Sequence, residues 1–158
     1  MLLKTEAPQY YFEAQCTREE GRKGMLTTNA VKDSIKVATP PEFAGGVAGI
    51  WSPEQLFLGS LSSCTMATFL AIAEKRKLLV TGFECKATGL VQLVDGRLEF
   101  TIINLYPKVF VQKEEDIALA NEVLLKTFRH CIIANSIKAK LVHHGEVLQD
   151  KVLEGKSC

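Results

Sequence analysis

The chain carries almost no net charge. Nineteen lysines and arginines face eighteen aspartates and glutamates, so no basic field draws it to nucleic acid or to an anionic membrane surface. It also lacks a clean apolar run of membrane-spanning length. The longest candidate, residues 56–73, is broken by Gly59, Ser60, Ser62, Ser63, Thr65 and Thr68, which fits a helix buried in protein better than one in lipid. No charged-then-apolar leader with a cleavage site opens the chain, and the cytoplasm is the expected compartment. GxGxxG and P-loop patterns are missing, so a nucleotide is not indicated, and no cofactor is expected. CxxC and HExxH are missing as well, so His130, His143 and His144 with Cys131 are not expected to bind a metal.

A disulfide framework is absent too. Five cysteines, Cys16, Cys64, Cys85, Cys131 and Cys158, stand at wide, unpatterned spacings, which excludes the even, regular pairing of small secreted domains. In a reducing compartment a free thiol behaves as a small hydrophobe. Packing therefore accounts for Cys16 and Cys85, which fall in expected strands, while Cys158 at the terminus has no assignable role.

Of the 158 residues, 47% are hydrophobic and 23% charged, enough apolar material for the core of one domain covering residues 1–158. "QYYFEAQ" and "AVKDSIKVAT" alternate as strands around the turn-rich "TREEGRKG" and predict a hairpin-rich N-terminal sheet. "PPEFAGGVAGI" predicts a loop. Ser52, Pro53 and Gln55 then form a helix start with a capping box, and this helix is expected to reach Lys77, enclosed on most sides. Asp95-Gly96 between two strand-like runs predicts a hairpin, with Pro107 marking an edge or a break. A second helix over 114–130 has acids in its first turn and Lys126, Arg129 and His130 near its end. Its apolar face continues in phase to Cys131. A final strand over 137–148 completes an α+β order with antiparallel pairing.

The candidate chemistry centres on Cys64. An ordinary thiol with a pKa of about 8.5 is only about 3% thiolate at neutral pH, so a reactive Cys64 needs a cation nearby. Arg22, between Gly21 and Gly24, can bring a guanidinium over a pocket, and Glu54 can orient it by a bidentate contact. Ten residues of straight helix hold Glu54 about 15 Å from Cys64. A link between them therefore needs Arg22 as a bridge or a second subunit, which favours a two-fold dimer of packed helices. Cys131 can pair with Cys64 if the two helices lie side by side, cycling through a sulfenic acid and a disulfide. From composition alone, both thiols are more readily core packing and Arg22 an exposed turn residue. A Cys–His hydrolase using His130 is a further alternative.

"EGRKG", "VATPPEFAGGVAGIWSPEQLFLGSLSSC" and "HCIIANSIKAKL", in this order over residues 10–148, resemble the OsmC / organic hydroperoxide resistance family. The resemblance implies the OsmC-like fold, antiparallel sheets wrapped around long central helices in an intertwined homodimer with interfacial active sites. It also implies that Cys64 is the peroxidatic nucleophile, that Cys131 resolves it, and that Arg22 and Glu54 organise the site. The expected function is thiol-dependent reduction of organic hydroperoxides to alcohols, with an external dithiol of lipoyl type as reductant. Isoleucine follows Cys131 where the family commonly has proline, and "SSCTM" differs from the usual text of the hydroperoxide-resistance branch. A non-catalytic stress or ligand-binding member is the alternative. Phe43, Ile50, Trp51 and Phe57 are candidates to line a pocket for an apolar hydroperoxide, and equally to be core or dimer contacts.

Overall fold

The computed structural model describes residues 8–150. Its contacts gather into two compact units that divide between Leu56 and Phe57, and each is described in turn.

The first unit is a three-stranded antiparallel sheet of β1 (Gln15–Arg18), β2 (Lys23–Thr28) and β3 (Val31–Ala38), in that order. Two strands were expected, at 9–15 and 30–39. Instead residues 9–14 lie outside regular structure and "KGMLTT" becomes the central strand. Two glycines explain the difference. Gly21, at φ +52, turns the chain immediately after β1, and Gly24 lies so close to it that a Cβ would sit 2.9 Å from the Thr17 carbonyl oxygen. The loop that follows folds onto itself. Val47 donates its N–H to the Thr39 carbonyl, and Gly46 packs against Pro40 with no space for a side chain.

Ser52 opens α1 (Pro53–Lys75) as its composition predicts. The Ser52 hydroxyl accepts the Gln55 N–H at 3.1 Å, and the Gln55 side-chain oxygen accepts the Ser52 N–H at 3.0 Å. This reciprocal pair satisfies two donors that a helix start otherwise leaves open. The helix ends just before Lys77, which adopts φ +55. Enclosure on most sides was expected, but only one stripe is buried: Leu61, Thr65, Phe69 and Ala73, each four residues apart. The apolar residues on the other side of the helix, such as Met66 and Leu70, are exposed among the described residues.

In the second unit, β4 (Val80–Val94) and β5 (Arg97–Val111) pair antiparallel over their whole length. Asp95 and Gly96 join them with φ of 48 and 77, the double positive φ of a type I′ turn. A 3-10 turn at Glu114–Asp116 holds the expected acids and leads into α2 (Ile117–His130), a short α3 (Ile132–Asn135), β6 (Lys140–His143) and β7 (Glu146–Gln149). The single final strand expected at 137–148 is thus two strands. Both run parallel to β5, contrary to the antiparallel expectation, because the chain returns to the sheet through a helix instead of a tight turn.

Pro107 accounts for the split. It lies buried within β5, paired to Cys85 of β4 on one side. On the other side, β6 pairs with residues up to Leu105 and β7 resumes at Lys108. A residue with no N–H to give thus falls in the gap between two partners. Alternate residues of β5, namely Ile103, Leu105, Pro107, Val109 and Val111, point inward.

The capping pair at Ser52 makes one prediction. Ser52→Ala will lower unfolding stability by about 1 kcal/mol and Ser52→Thr by less, measured by chemical denaturation. Equal stability of all three chains would mean that the cap contributes nothing.

Candidate active site

Cys131 is held by a break in a helix. It does not continue α2, as its phase suggests, but caps it: its backbone is extended (φ −66, ψ 114) between the end of α2 and the start of α3. Its N–H still donates to Thr127 O at 2.9 Å, and its carbonyl accepts the Asn135 N–H at 3.0 Å. Both sides of the break are therefore satisfied. The side chain is 1% exposed and packs with Leu61 of α1 and Ile103 and Leu105 of β5.

Cys64 packs against the same cluster from α1. The structure thus brings together the two thiols that sequence placed on separate helices, and both are reduced. Hydroxyls flank the pair at long range. Thr68 Oγ1 lies 4.0 Å from the Cys64 sulfur, and Thr65 Oγ1 lies 4.0 Å from that of Cys131.

Their environments push the two thiols apart. Burial resists ionisation of Cys64, but the N–H of Ile133, the Cys131 thiol, the Thr68 hydroxyl and the N–H of Ile132 all favour the anion, and together they hold its pKa below the ordinary thiol range. Burial likewise raises Cys131. The Ala134 N–H offsets this in part, while its position as donor to Cys64, and the Cys64 charge, raise it further. The two sulfurs are therefore shifted in opposite directions, Cys64 toward the anion and Cys131 toward the thiol. Sequence reasoning assigned the activation to an arginine; within the second unit, backbone amides at the start of α3 supply part of it. No histidine hydrogen-bonds either sulfur among the described residues.

A third thiol, set aside in the sequence as packing, borders the pair. Cys85 of β4 packs on the cluster that contains Cys131, and burial, with a smaller contribution from the Cys131 charge, pushes its pKa up to about 11. No local sequence signal marks it, because the long β4–β5 register puts it there. Cys16, by contrast, is exposed on β1 and is not a core residue. Cys158 lies outside the described residues.

Arg22 and Glu54 belong to the first unit. Arg22 is exposed and packs over Gly45, where a Cβ would come within 3.2 Å of its Nε. Gly45 has φ +76, so it supplies both the turn and the space. No ion pair joins Arg22 to Glu54 among the described residues, so the expected bidentate contact is not formed. Glu54 Oε2 is nevertheless buried and has no hydrogen-bond partner among the described residues, and an unpaired buried polar atom costs about 1–3 kcal/mol. Of the four pocket candidates, Ile50 and Trp51 line a cleft of about 320 Å³ with Gly49 and Gln55. Phe43 is exposed in the loop and does not line that cleft. Phe57, in the second unit, stacks on Phe100 at 5.2 Å.

Comparison with known proteins adds three findings. A protein-family model described as OsmC-like protein matches residues 46–144. The uncharacterized protein YmaD of Bacillus subtilis (strain 168) is 23% identical over 135 residues, covering 84% of this chain and 88% of its own length. Among solved structures, an OsmC-like protein of unknown function from Vibrio cholerae superposes with a TM-score of 0.77 at 22% identity, covering 89% of this chain and 100% of its own. An organic hydroperoxide resistance protein from Elizabethkingia anophelis gives 0.70 at 17%, covering 90% and 99%.

The electrostatics of the pair predict a pH profile. Alkylation of Cys64 by iodoacetamide will be half-maximal below the pH of an ordinary thiol, because thiolate accumulates as pH rises through its depressed pKa. Thr68→Val removes one donor and will move the midpoint upward. An ordinary thiol midpoint in the parent chain would remove the case for activation.

Proposed function

Because the chain belongs to the OsmC-like protein family, we propose that it is a thiol peroxidase that reduces organic hydroperoxides to alcohols. The observation that carries this reading is the adjacency of Cys64, held toward thiolate, and Cys131, held as thiol. The Cys64 thiolate attacks the distal oxygen of ROOH, the O–O bond breaks, and ROH leaves once its oxygen takes a proton. Cys64 is then a sulfenic acid. Cys131 displaces its hydroxyl as water and forms the Cys64–Cys131 disulfide. Two electrons from an external dithiol, of lipoyl type in a reducing cytoplasm, restore both thiols.

In this reading Arg22 stabilises the thiolate and the charge that develops on the peroxide oxygen, and Glu54 orients the guanidinium. The unpartnered Glu54 oxygen supports the assignment, since a buried carboxylate oxygen calls for such a donor. Ile50 and Trp51 offer apolar surface to the organic part of the substrate.

The reading includes a homodimer. An 18-residue window of α1 has a mean hydropathy of 1.7 and is long enough to cross a membrane, yet only 22% of it is buried. One stripe is already packed into protein, while Met66 and Leu70 are 40% and 39% exposed beside Ser63, Ala67 and Ala71. A face of small and flexible apolar residues suits close approach of a second α1 around a two-fold axis.

Two measurements test this. Cumene hydroperoxide will oxidise Cys64 much faster than hydrogen peroxide does, giving a Cys64–Cys131 disulfide in the parent and a trapped sulfenic acid in Cys131→Ser, read by mass spectrometry. Oxidation no faster than that of a free thiol would leave a non-catalytic binding or stress protein as the better account. In sedimentation the parent will run at twice the chain mass and Leu70→Asp will shift it toward the monomer; a monomeric parent sinks the dimer.

A further inference from the structure

The second half of the proposed reaction asks more of its nucleophile than the first. Cys131 has to attack oxidised Cys64, yet it is 1% exposed, so charge developing on its sulfur must be stabilised by the protein and not by water. Two of the effects that raise its pKa originate in Cys64: the hydrogen Cys131 donates to that sulfur, and the Cys64 charge. Both fall away once Cys64 is a neutral sulfenic acid. Burial then remains, opposed by the Ala134 N–H and the Thr65 hydroxyl.

Thr65 is the one side chain in that opposing set. It belongs to the buried stripe of α1, is itself 1% exposed, and its Oγ1 lies 4.0 Å from Cys131 Sγ. In the reduced protein its single hydrogen goes to the Leu61 carbonyl, at 2.8 Å. That carbonyl also accepts the Thr65 N–H as part of the helix, so it stays satisfied when the hydroxyl turns away. A rotation about the Cβ–Oγ1 bond redirects the hydrogen toward sulfur without moving a heavy atom. We propose that Thr65 serves the second half-reaction alone: its hydroxyl swings from the Leu61 carbonyl to Cys131 Sγ and holds that sulfur as the nucleophile that attacks oxidised Cys64. Thr68 stands in the same relation to Cys64, with its Oγ1 at 4.0 Å, so each sulfur has a hydroxyl of its own from one helix. Thr65 also lies in "SSCTM", where the chain departs from the usual text of the hydroperoxide-resistance branch.

The inference rests on the peroxidase reading, which supplies the sulfenic acid. Cys131 Sγ forms a bond to Cys64 Sγ, the Cys64 S–O bond breaks with its electron pair on oxygen, and the thiol hydrogen of Cys131 ends on that oxygen, so water leaves. The Cys131 sulfur is oxidised and the sulfenic sulfur reduced, both to the level of a disulfide. Thr65 gives up no proton. Its hydrogen shares the negative charge on Cys131 while the thiol hydrogen is in transit.

Diamide tests this step with no peroxide present. The Cys64 thiolate adds to its N=N bond, and Cys131 then displaces the hydrazine to form the Cys64–Cys131 disulfide. In a Cys16→Ser, Cys158→Ser chain treated with stoichiometric diamide, acid quenching and mass spectrometry follow adduct and disulfide separately. The adduct will form equally fast with threonine, serine, valine or alanine at position 65. Its conversion to disulfide will slow about tenfold or more in Thr65→Val and Thr65→Ala and recover in Thr65→Ser, the scale of one hydrogen bond to a charged group. The pH midpoint of conversion will also move upward by about one unit in Thr65→Val and Thr65→Ala and stay in place in Thr65→Ser. Conversion at the parent rate in Thr65→Val or Thr65→Ala overturns the proposal. So does a Thr65→Ser chain as slow as these two, or an equal slowing of both phases, since each makes Thr65 a packing residue. Inertness of Cys64 to cumene hydroperoxide would instead sink the peroxidase reading, and diamide would still report on Thr65.

Discussion

Four side chains on one side of α1, Leu61, Thr65, Phe69 and Ala73, determine where everything else in the second unit can go. The upper part of this stripe meets Ile103 and Leu105, and the lower part meets Val109, Val111 and the buried face of α2. Because the inward residues of β5 repeat every second position and those of α1 every fourth, the helix and strand can engage in only a few registers. The register adopted places Leu61 and Thr65 against Cys131. Cys64, next to them in sequence, is then turned partly out of the core toward the start of α3. A thiol in the centre of the stripe would be inert packing, and one on the far face would find no amide donors. The lowered pKa of Cys64 is thus a by-product of how the helix is docked.

The contrast between the two sulfurs shows how little is needed to differentiate identical groups. Both suffer burial, and neither has a charged neighbour of opposite sign among the described contacts. What separates them is donor count. Cys64 collects amide and hydroxyl hydrogens, whereas Cys131 spends its own hydrogen on Cys64. The break between α2 and α3 makes this possible, since it exposes the first amides of α3 that a continuous helix would have used internally.

Much of this was legible in the sequence wherever the signal was local. The Ser52–Gln55 box, the Asp95-Gly96 turn and the inward face of α2 at Ala120 and Leu124 depend on residues within about one turn of each other, and the structure agrees at all three. The failures were of another kind. "KGMLTT" has no strong alternation and owes its strand to the neighbours on either side. The parallel return of β6 and β7 depends on where α2 carries the chain, which no short window records. Pro107 was read as punctuation of its own strand, and what it punctuates is the partner strand. Cys85, read as a packing residue in a strand, does pack on the core from β4, whereas Cys16, read the same way, is exposed. For the site, residue types singled out two thiols that the structure packs together, while the amides beside Cys64 depend on a helix break that the regular phase of α2 gave no reason to expect.

The connectivity around Cys131 also sets when the site comes into being. Thr65 and Cys131 are 66 residues apart in the chain, and the contact closes only after the hairpin has formed and α2 has carried the chain back to lay β6 along β5. Local pairing around Asp95-Gly96 can proceed early, whereas a parallel crossover must first meet the entropy of a long loop. A growing or partly unfolded chain therefore carries Cys64 as an ordinary, slow thiol. The amides that lower the Cys64 pKa come into place only with the last tertiary closure, so the shift belongs to the finished fold and not to the local sequence.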